Sequence, residues 1–359
     1  MKIVHLTWGL GVCGAETMLG DIAIEQAVAH ETWIIVVNRD IDVSIVRDMG
    51  PPVRQVTLGR PPGSANPWYL FKLLLWLWRI EPDVVHAHQD SFIRLRKLIR
   101  APMVLTLHGT RLPLGDGLAA YDSVCCISEA VVDDVTSRFP ACRLQVIRNG
   151  INFESVKLKA HYGTSPFRIV QVSRLVHEIK GQDLLIRALR LVIDSLGEGS
   201  ASVDFIGGGD SLNYLQQLSV DCGVNEWCRF LGAATRQFIY DALPQYDLLV
   251  QPSRYEGFGL TVVEGIAAGL PVLVSDIEGP MEIIAGGQLG WSFKYEDAQA
   301  LSSKIVELIA ESRESDFADR MRARAGLAHG RFDIKVTAQR YIDEYARLAP
   351  AAGTVRSNA

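Results

Sequence analysis

The chain has 359 residues, 48% of them hydrophobic and 21% charged, which suits globular cores and is long for a single one. A formal net charge of −5 lacks the basic footprint that nucleic acid requires, so nucleic acid is not expected as a partner. The six cysteines (Cys13, Cys125, Cys126, Cys142, Cys222, Cys228) form no CxxC pair, and Met1-Lys2 leads directly into an apolar strand without the zones of a secretory leader, so a cytoplasmic setting is expected.

In chain order, short β-branched runs alternate with helical stretches. Ile3 to Trp8 reads as a strand, and Gly9, Gly11 and Gly14 behind it form a GxGxxG loop before a helix from Ala15. That spacing is the dinucleotide fingerprint, with Asp40 as the conceivable ribose partner. The chain has no YxxxK pair to complete a short-chain dehydrogenase or epimerase, and the same loop equally lets an anion or an acceptor approach the backbone. Trp33 to Val37 follows, then Asp40-Ile41-Asp42, a DxD read as loop charge because no further carboxylates stand near to complete a magnesium or manganese shell.

The segment Pro67 to Ile80 carries Trp68, Trp76 and Trp78 and is too short to cross a hydrocarbon layer of about 30 Å. It suits a helix packed on a sheet, or a peripheral membrane contact on the inner face of the cytoplasmic membrane if its tryptophans share a face with Arg94, Arg96, Lys97 and Arg100. Further strands are expected at Val84 to Ala87, Val104 to Leu107, Ser123 to Ile127 and Leu144 to Ile147. His86 and His88 form HxH without a third local ligand, so no zinc site is expected. The stretch Glu154 to Pro166 lacks a periodic run and reads as a linker.

The pattern then restarts with strands at Arg168 to Val172, Ser202 to Ile206, Arg229 to Leu231, Leu248 to Gln251, Pro271 to Ser275 and Gly290 to Phe293. Two doubly wound α/β domains are expected, at 1–160 and 161–349, with a tail at 350–359. Open parallel sheets bind ligands beyond the carboxyl ends of their strands, and the polar motifs lie there: His108-Gly109, Ser173-Arg174, Gly207 to Gly209, and PSRYEGFGLTVVEG. In the last, Gly257 and Gly259 precede a helix expected over Leu260 to Ala268, so N–H groups of Phe258, Gly259 and Leu260 face outward where the helix dipole favours an anion. Glu256 and Glu264 flank that anion site. Carboxylates beside a phosphate make sense as acceptors for hydroxyl groups on either side of it, the layout of a nucleotide sugar. Arg174 and Lys180 supply cations that stabilise a departing diphosphate without a metal. There is no GxSxG hydrolase elbow.

These residues resemble the retaining glycosyltransferases of GT-B architecture, family 4. The marks are Gly11 and Gly14 in GLGVCGAE, His108 in LHG, Ser128-Glu129, Asn149-Gly150, Arg174 with Lys180, Gly207 to Gly209, and above all Glu256 and Glu264 around EGFGL. The resemblance implies two Rossmann-like domains facing across a cleft, acceptor on the amino-terminal side and donor on the other, and transfer of a hexose with retained configuration. It gives Arg174 and Lys180 to the diphosphate, the backbone of Phe258, Gly259 and Leu260 to phosphate and sugar, Glu256 to the sugar hydroxyls and Glu264 to the ribose. Gly11 and Gly14 complete the donor-binding set, and His108 and Glu256 are the catalytic candidates. No metal and no cofactor beyond a nucleotide-sugar co-substrate are implied, with a UDP-sugar ahead of a GDP-sugar and a saccharide or lipid-linked glycan as acceptor. Two positions depart from the pattern: Ser173 stands where glycine is frequent, and Lys180 follows one residue late. A nicotinamide-dependent oxidoreductase, a nucleotide-sugar epimerase and a non-catalytic sugar-nucleotide binder are the competing readings.

Overall fold

The computed structural model describes residues 1–11, 14–42 and 49–348; Cys13 and the expected tail at 350–359 lie outside the described residues. The chain divides into two compact units, the first comprising Met1–Ile151 and the helix Ile334–Leu348, the second Asn152–Asp333.

The first unit is built on a sheet of seven strands, β1 (Lys2–Thr7), β2 (Glu31–Asn38), β3 (Arg54–Arg60), β4 (Val84–Ala87), β5 (Met103–Leu107), β6 (Ser123–Cys126) and β7 (Leu144–Val146), in the order β3-β2-β1-β4-β5-β6-β7. Every pairing is parallel. β1, β4 and β5 are buried almost throughout, which is why they read as mainly apolar runs rather than as alternating ones, with His5, Thr7, His86 and Thr106 buried among them. β3 escaped the sequence reading because RQVTLGR sits at the sheet edge with most residues half-buried or exposed, so its apolar signal is dilute.

The second unit repeats the plan with β8 (Phe167–Val172), β9 (Ala201–Ile206), β10 (Cys228–Gly232), β11 (Leu248–Gln251), β12 (Val272–Ser275) and β13 (Trp291–Phe293), in the order β10-β9-β8-β11-β12-β13. The helix Gln182–Leu196 buries Leu184, Leu185, Ala188, Leu189, Val192 and Ile193 against that sheet, the stripe that its 3.6-residue spacing predicts. In each sheet the strand order reverses between two central strands, β1 and β4 in the first and β8 and β11 in the second. Such a reversal splays the following loops apart and opens a crevice at the strand ends.

The expected domain limits need correction at both ends. The first crossing falls at Ile151–Asn152 rather than after residue 160, and the helix Ile334–Leu348 belongs to the first unit rather than the second. The segment Glu154 to Pro166, expected as a linker, is fastened to the second unit. Lys159 is almost wholly buried with its Nζ 3.1 Å from Asp247, its N–H donates to the Ala268 carbonyl at 2.8 Å, and the Tyr162 hydroxyl donates to the Gly269 carbonyl at 2.8 Å. The last helix is held by its buried Tyr341 and Tyr345, whose hydroxyls bond to Thr106 and His86 of the first sheet. Ile334 N–H donates to the Ile151 carbonyl at 2.9 Å, so the two chain crossings lie side by side.

The tryptophan segment forms the helix Trp68–Ile80, which buries Leu73, Leu77 and Ile80. Trp68, Phe71, Leu75 and Trp78 are exposed and, at spacings of three and four, share one face. Trp76 does not join them: it is half-buried, tilted against Trp33 at 6.0 Å between ring centroids. Burial also accounts for the thiols. Cys125 and Cys126 lie inside the first sheet, where desolvation pushes the Cys126 thiol up to about 12, so they behave as small hydrophobes. No helix among the described residues is long and apolar enough to cross a membrane.

The Lys159 anchor gives a stability prediction. Lys159→Ala leaves Asp247 buried with only the Thr164 hydroxyl and the Arg168 N–H donating to it. Losing one partner of a buried pair is expected to cost about 3 kcal/mol, read as a lowered urea midpoint for the second unit.

Candidate active site

In the second unit, two loops at the strand-order reversal carry the expected donor residues. β8 ends at Val172 and leads through Ser173 and Arg174 into one helical turn, His177–Lys180. Gly181 closes that turn at φ +66°, and a β-carbon there would lie 2.0 Å from the Pro252 carbonyl oxygen. Only glycine allows this approach, and it seats the Lys180 loop on the loop following β11. Backbone bonds continue the seam, with Arg254 N–H donating to the Ile179 carbonyl at 2.8 Å.

The outcome is a short ion pair. Lys180 Nζ lies 2.5 Å from Glu256 Oε2, with the side chains 19% and 16% exposed. Gln251 holds the same carboxylate oxygen more weakly at 3.5 Å. Arg174 is exposed, and its guanidinium has no partner among the described residues. The departure at Ser173 has a local reason: its hydroxyl accepts from Gln182 Nε2 at 3.0 Å, and the same amide donates to the Arg174 carbonyl at 2.8 Å. Lys180 is the last residue of the His177–Lys180 turn.

The helix Leu260–Ala267 starts from Gly259, whose φ of +108° suits glycine alone. The N–H groups of Phe258, Gly259 and Leu260 donate to no acceptor among the described residues, leaving the helix start with unmet donors. The Phe258 side chain is buried, edge-on to Phe332 at 6.0 Å between centroids, so it anchors the turn while its backbone stays free. Glu264 lies one turn inside the helix and is 9% exposed.

Sequence reasoning missed the strut that fixes this turn. Arg254 grips Asp183 through two bonds, at 2.8 and 3.0 Å, donates to the His177 carbonyl at 2.6 Å and reaches Glu296 at 2.8 Å. The Asp183 and Glu296 carboxylates hold its guanidinium still further above its usual range. An arginine two residues before the candidate glutamate was the only sequence signal, and exposed arginines are too common for that to suffice.

In the first unit, the loop with Gly9, Gly11 and Gly14 follows β1 and opens the helix Gly14–Ala27. Gly11 and Gly14 are exposed. Asp40, the conceivable ribose partner, is exposed beside Arg39 at 3.8 Å. His108 follows β5, half-buried. Behind it lies a polar core: His5 on β1, His86 on β4 and His88 just after it. His5 and His86 are register neighbours across the two central strands, a juxtaposition that spacing within the sequence does not disclose. The nitrogens of His5, His86 and His88 lie within 4.8 Å of one another, so the third ligand absent from the local sequence exists in space. Each ring nitrogen of the three already has a hydrogen-bond partner: Gln26 and His88 for His5, Thr106 and Tyr345 for His86, His5 and His108 for His88. A metal would have to displace those bonds, and the arrangement is a hydrogen-bonded network.

Comparison with known proteins identifies the family. The model described as "Glycosyltransferase Family 4" matches residues 12–155, and the one described as "Glycosyl transferases group 1" matches residues 157–326. The chain belongs to the group 1 glycosyltransferases. An uncharacterized glycosyltransferase of Methanocaldococcus jannaschii is 30% identical over 56% of this chain and 60% of its own length. The phosphatidyl-myo-inositol mannosyltransferase of Mycobacterium leprae is 25% identical over 78% of both chains. The match to the first of these relatives thus spans about three fifths of that protein's length. Among solved structures, Anabaena HepE in complex with UDP and glucose superposes with a TM-score of 0.80 at 22% identity, covering 97% of this chain and all of that one. The fold is GT-B.

Within this glycosyltransferase, the structure brings Lys180 onto Glu256 and places Phe258, Gly259, Leu260 and Glu264 on the adjoining turn and helix. Arg174 sits on the Lys180 loop without touching the glutamate. Gly11, Gly14 and His108 lie in the first unit. The histidine core also sets the acid limit of that unit. Burial lowers His5 and His108 from 6.5 to about 4, and His86 and His88 lie well below their usual value for the same reason, reinforced by neighbouring rings. Between these values an unfolded chain binds protons that the folded rings refuse, so stability falls as the pH drops through 6.5 toward 4. His5 and His108 are each expected to lose about 2 kcal/mol between pH 7 and 5, seen as a falling melting temperature that His5→Gln partly flattens.

Proposed function

We propose that the chain is a retaining hexosyltransferase that moves a sugar from a nucleoside diphosphate to a saccharide acceptor, without metal or cofactor, in bacterial surface polysaccharide or lipopolysaccharide synthesis. The observation that carries this reading is the Lys180–Glu256 pair at 2.5 Å, set beside a helix start whose first N–H groups have no partner among the described residues. Such a site offers donors to a diphosphate and a carboxylate to hydroxyl groups within a few ångströms of each other.

On this reading, Lys180 and the unpartnered Arg174 neutralise the departing diphosphate, the backbone at Phe258, Gly259 and Leu260 binds phosphate and sugar, and Glu264 takes the ribose. Glu256 orients the sugar through its hydroxyls. A carboxylate oxygen already held by an ammonium suits orientation better than nucleophilic attack, which favours a same-face reaction in which the leaving phosphate accepts the acceptor's proton. His108 contributes a contact to the sugar. Gly11 and Gly14 let a ligand approach the backbone. The HepE complex with UDP and glucose favours a uridine donor over a guanosine one.

The test is turnover of UDP-glucose. Glu256→Gln is expected to lower it at least a hundredfold in a variant that still folds, and Arg174→Ala with Lys180→Ala to abolish thermal stabilisation by UDP. Unchanged turnover in Glu256→Gln overturns the site assignment. Glucose epimerised without an acceptor, or nicotinamide absorbance in the purified protein, sustains the epimerase or oxidoreductase reading. UDP binding without any turnover leaves a silent binder.

We further infer a peripheral membrane contact through Trp68 and Trp78, bringing a lipid-linked glycan acceptor to an enzyme working at the cytoplasmic face. Its support is the exposed stripe of Trp68, Phe71, Leu75 and Trp78, continued by a cavity of about 530 Å³ lined by Leu74, Leu77, Trp78, Leu98, Ile99 and Arg100. Trp78 and Arg100 thereby share one patch, apolar with a basic edge. Anionic phosphatidylglycerol vesicles should co-sediment with the protein, and Phe71→Ser with Trp78→Ser should lower the bound fraction at least fivefold. Failure of the unmodified protein to sediment removes the contact.

A further inference from the structure

The histidine core has a direction, and that direction ends at His108. Gln26 is buried on the helix Gly14–Ala27, and its Oε1 lies 2.8 Å from His5 Nε2. His5 Nδ1 lies 3.1 Å from His88 Nε2, and His88 Nδ1 lies 3.1 Å from His108 Nε2. A neutral imidazole carries one N–H and one bare nitrogen, so each bond in such a line dictates the next. An amide oxygen only accepts, hence His5 carries its proton on Nε2 and accepts at Nδ1. His88 must then donate from Nε2 and accept at Nδ1, and His108 must donate from Nε2. Its Nδ1 is left bare.

That nitrogen is shielded from solvent and has no hydrogen-bond partner among the described residues. Leaving a buried acceptor unmet is costly, and such positions call for a reason. Turning the Gln26 amide over would reverse every bond in the line and put the His108 proton on Nδ1 instead. The Tyr345 hydroxyl opposes this. It lies 2.6 Å from His86 Nδ1, a length typical of an O–H donor and short for an N–H one. Having spent its proton on His86, Tyr345 can only accept from Gln26, whose Nε2 faces it at 3.4 Å. The amide oxygen is thereby turned to His5.

We propose that Tyr345 and Gln26, acting through His5 and His88, fix His108 in the Nε2–H tautomer, so that its Nδ1 is a dedicated acceptor for a hydroxyl group of the bound ligand. Gln26, His5 and His88 are positioning residues; they act on the ligand only through His108. The identity of that ligand as a sugar rests on the function proposed above, whereas the tautomer does not.

The experiment uses the full chain with histidine rings labelled with ¹⁵N. Long-range ¹H–¹⁵N spectra at pH 7, with His108 assigned by its loss in His108→Gln, should show Nε2 protonated and Nδ1 bare. The reverse pattern, or a doubly protonated ring, overturns the proposal whether or not the protein turns over any sugar. Gln26→Met should convert the His108 signal to a mixture of tautomers and lower kcat/KM for UDP-glucose at least fivefold. An unmoved His108 signal in a folded Gln26→Met variant also overturns it, and if that variant does not fold, the spectrum of the unmodified chain decides. Absence of UDP-glucose turnover in the unmodified chain would count against the proposed donor and leave the spectrum to judge the relay.

Discussion

The contact between Lys180 and Glu256 is the constraint around which the second unit is arranged. A carboxylate placed beside a helix start that invites anions is repelled by the ligand it should help to bind, unless a cation stands against it. The fold supplies that cation from a different strand-end loop. To bring it within hydrogen-bonding distance, the loop must lie directly on its neighbour, and Gly181 against Pro252 makes the approach possible. The Arg254–Asp183 fork, the Ser173 hydroxyl and the Gln182 amide then leave the pair little room to move. Arg174 stands apart from this framework, a positive charge without a partner among the described residues.

The first unit solves a different problem. Four histidines, two tyrosines and a glutamine sit in or against a parallel sheet, where an unpaired polar atom is expensive. They are accommodated because nearly every donor meets an acceptor, and because burial keeps the imidazoles neutral. A chain of neutral rings has no freedom to satisfy its bonds in mixed directions, so pairing deep in the core reaches the surface as a defined chemical state of His108. The helix Ile334–Leu348 is part of this arrangement through Tyr341 and Tyr345, which explains why the end of the chain returns to the unit where it began.

Much of the architecture was legible from the residues. The runs at Val84 to Ala87 and Leu248 to Gln251 are strands with the very limits expected, because both faces of a central parallel strand are covered and apolar side chains dominate it, with only His86 and Gln251 as buried polar exceptions. The helix after Gly181 buries the six positions its spacing indicates. Edge strand β3 was missed because its residues satisfy solvent as well as core. The boundary was misplaced because Gly163, Thr164, Ser165 and Pro166 have linker composition, while the burial of Lys159 beside Asp247 leaves no trace in a composition that counts lysine as exposed.

By itself the sequence determined the doubly wound pattern of each half, the glutamate turn with its glycine-started helix, and the residues worth suspecting. These follow from local periodicity and backbone chemistry, which act over a few positions. Tertiary structure decided which suspects meet. Lys180 and Glu256 are brought together across 76 residues, and His5 joins His88 across 83. Those contacts depend on strand order, register and the close packing of loops at the sheet's reversal point, none of which is encoded in the spacing of the residues concerned.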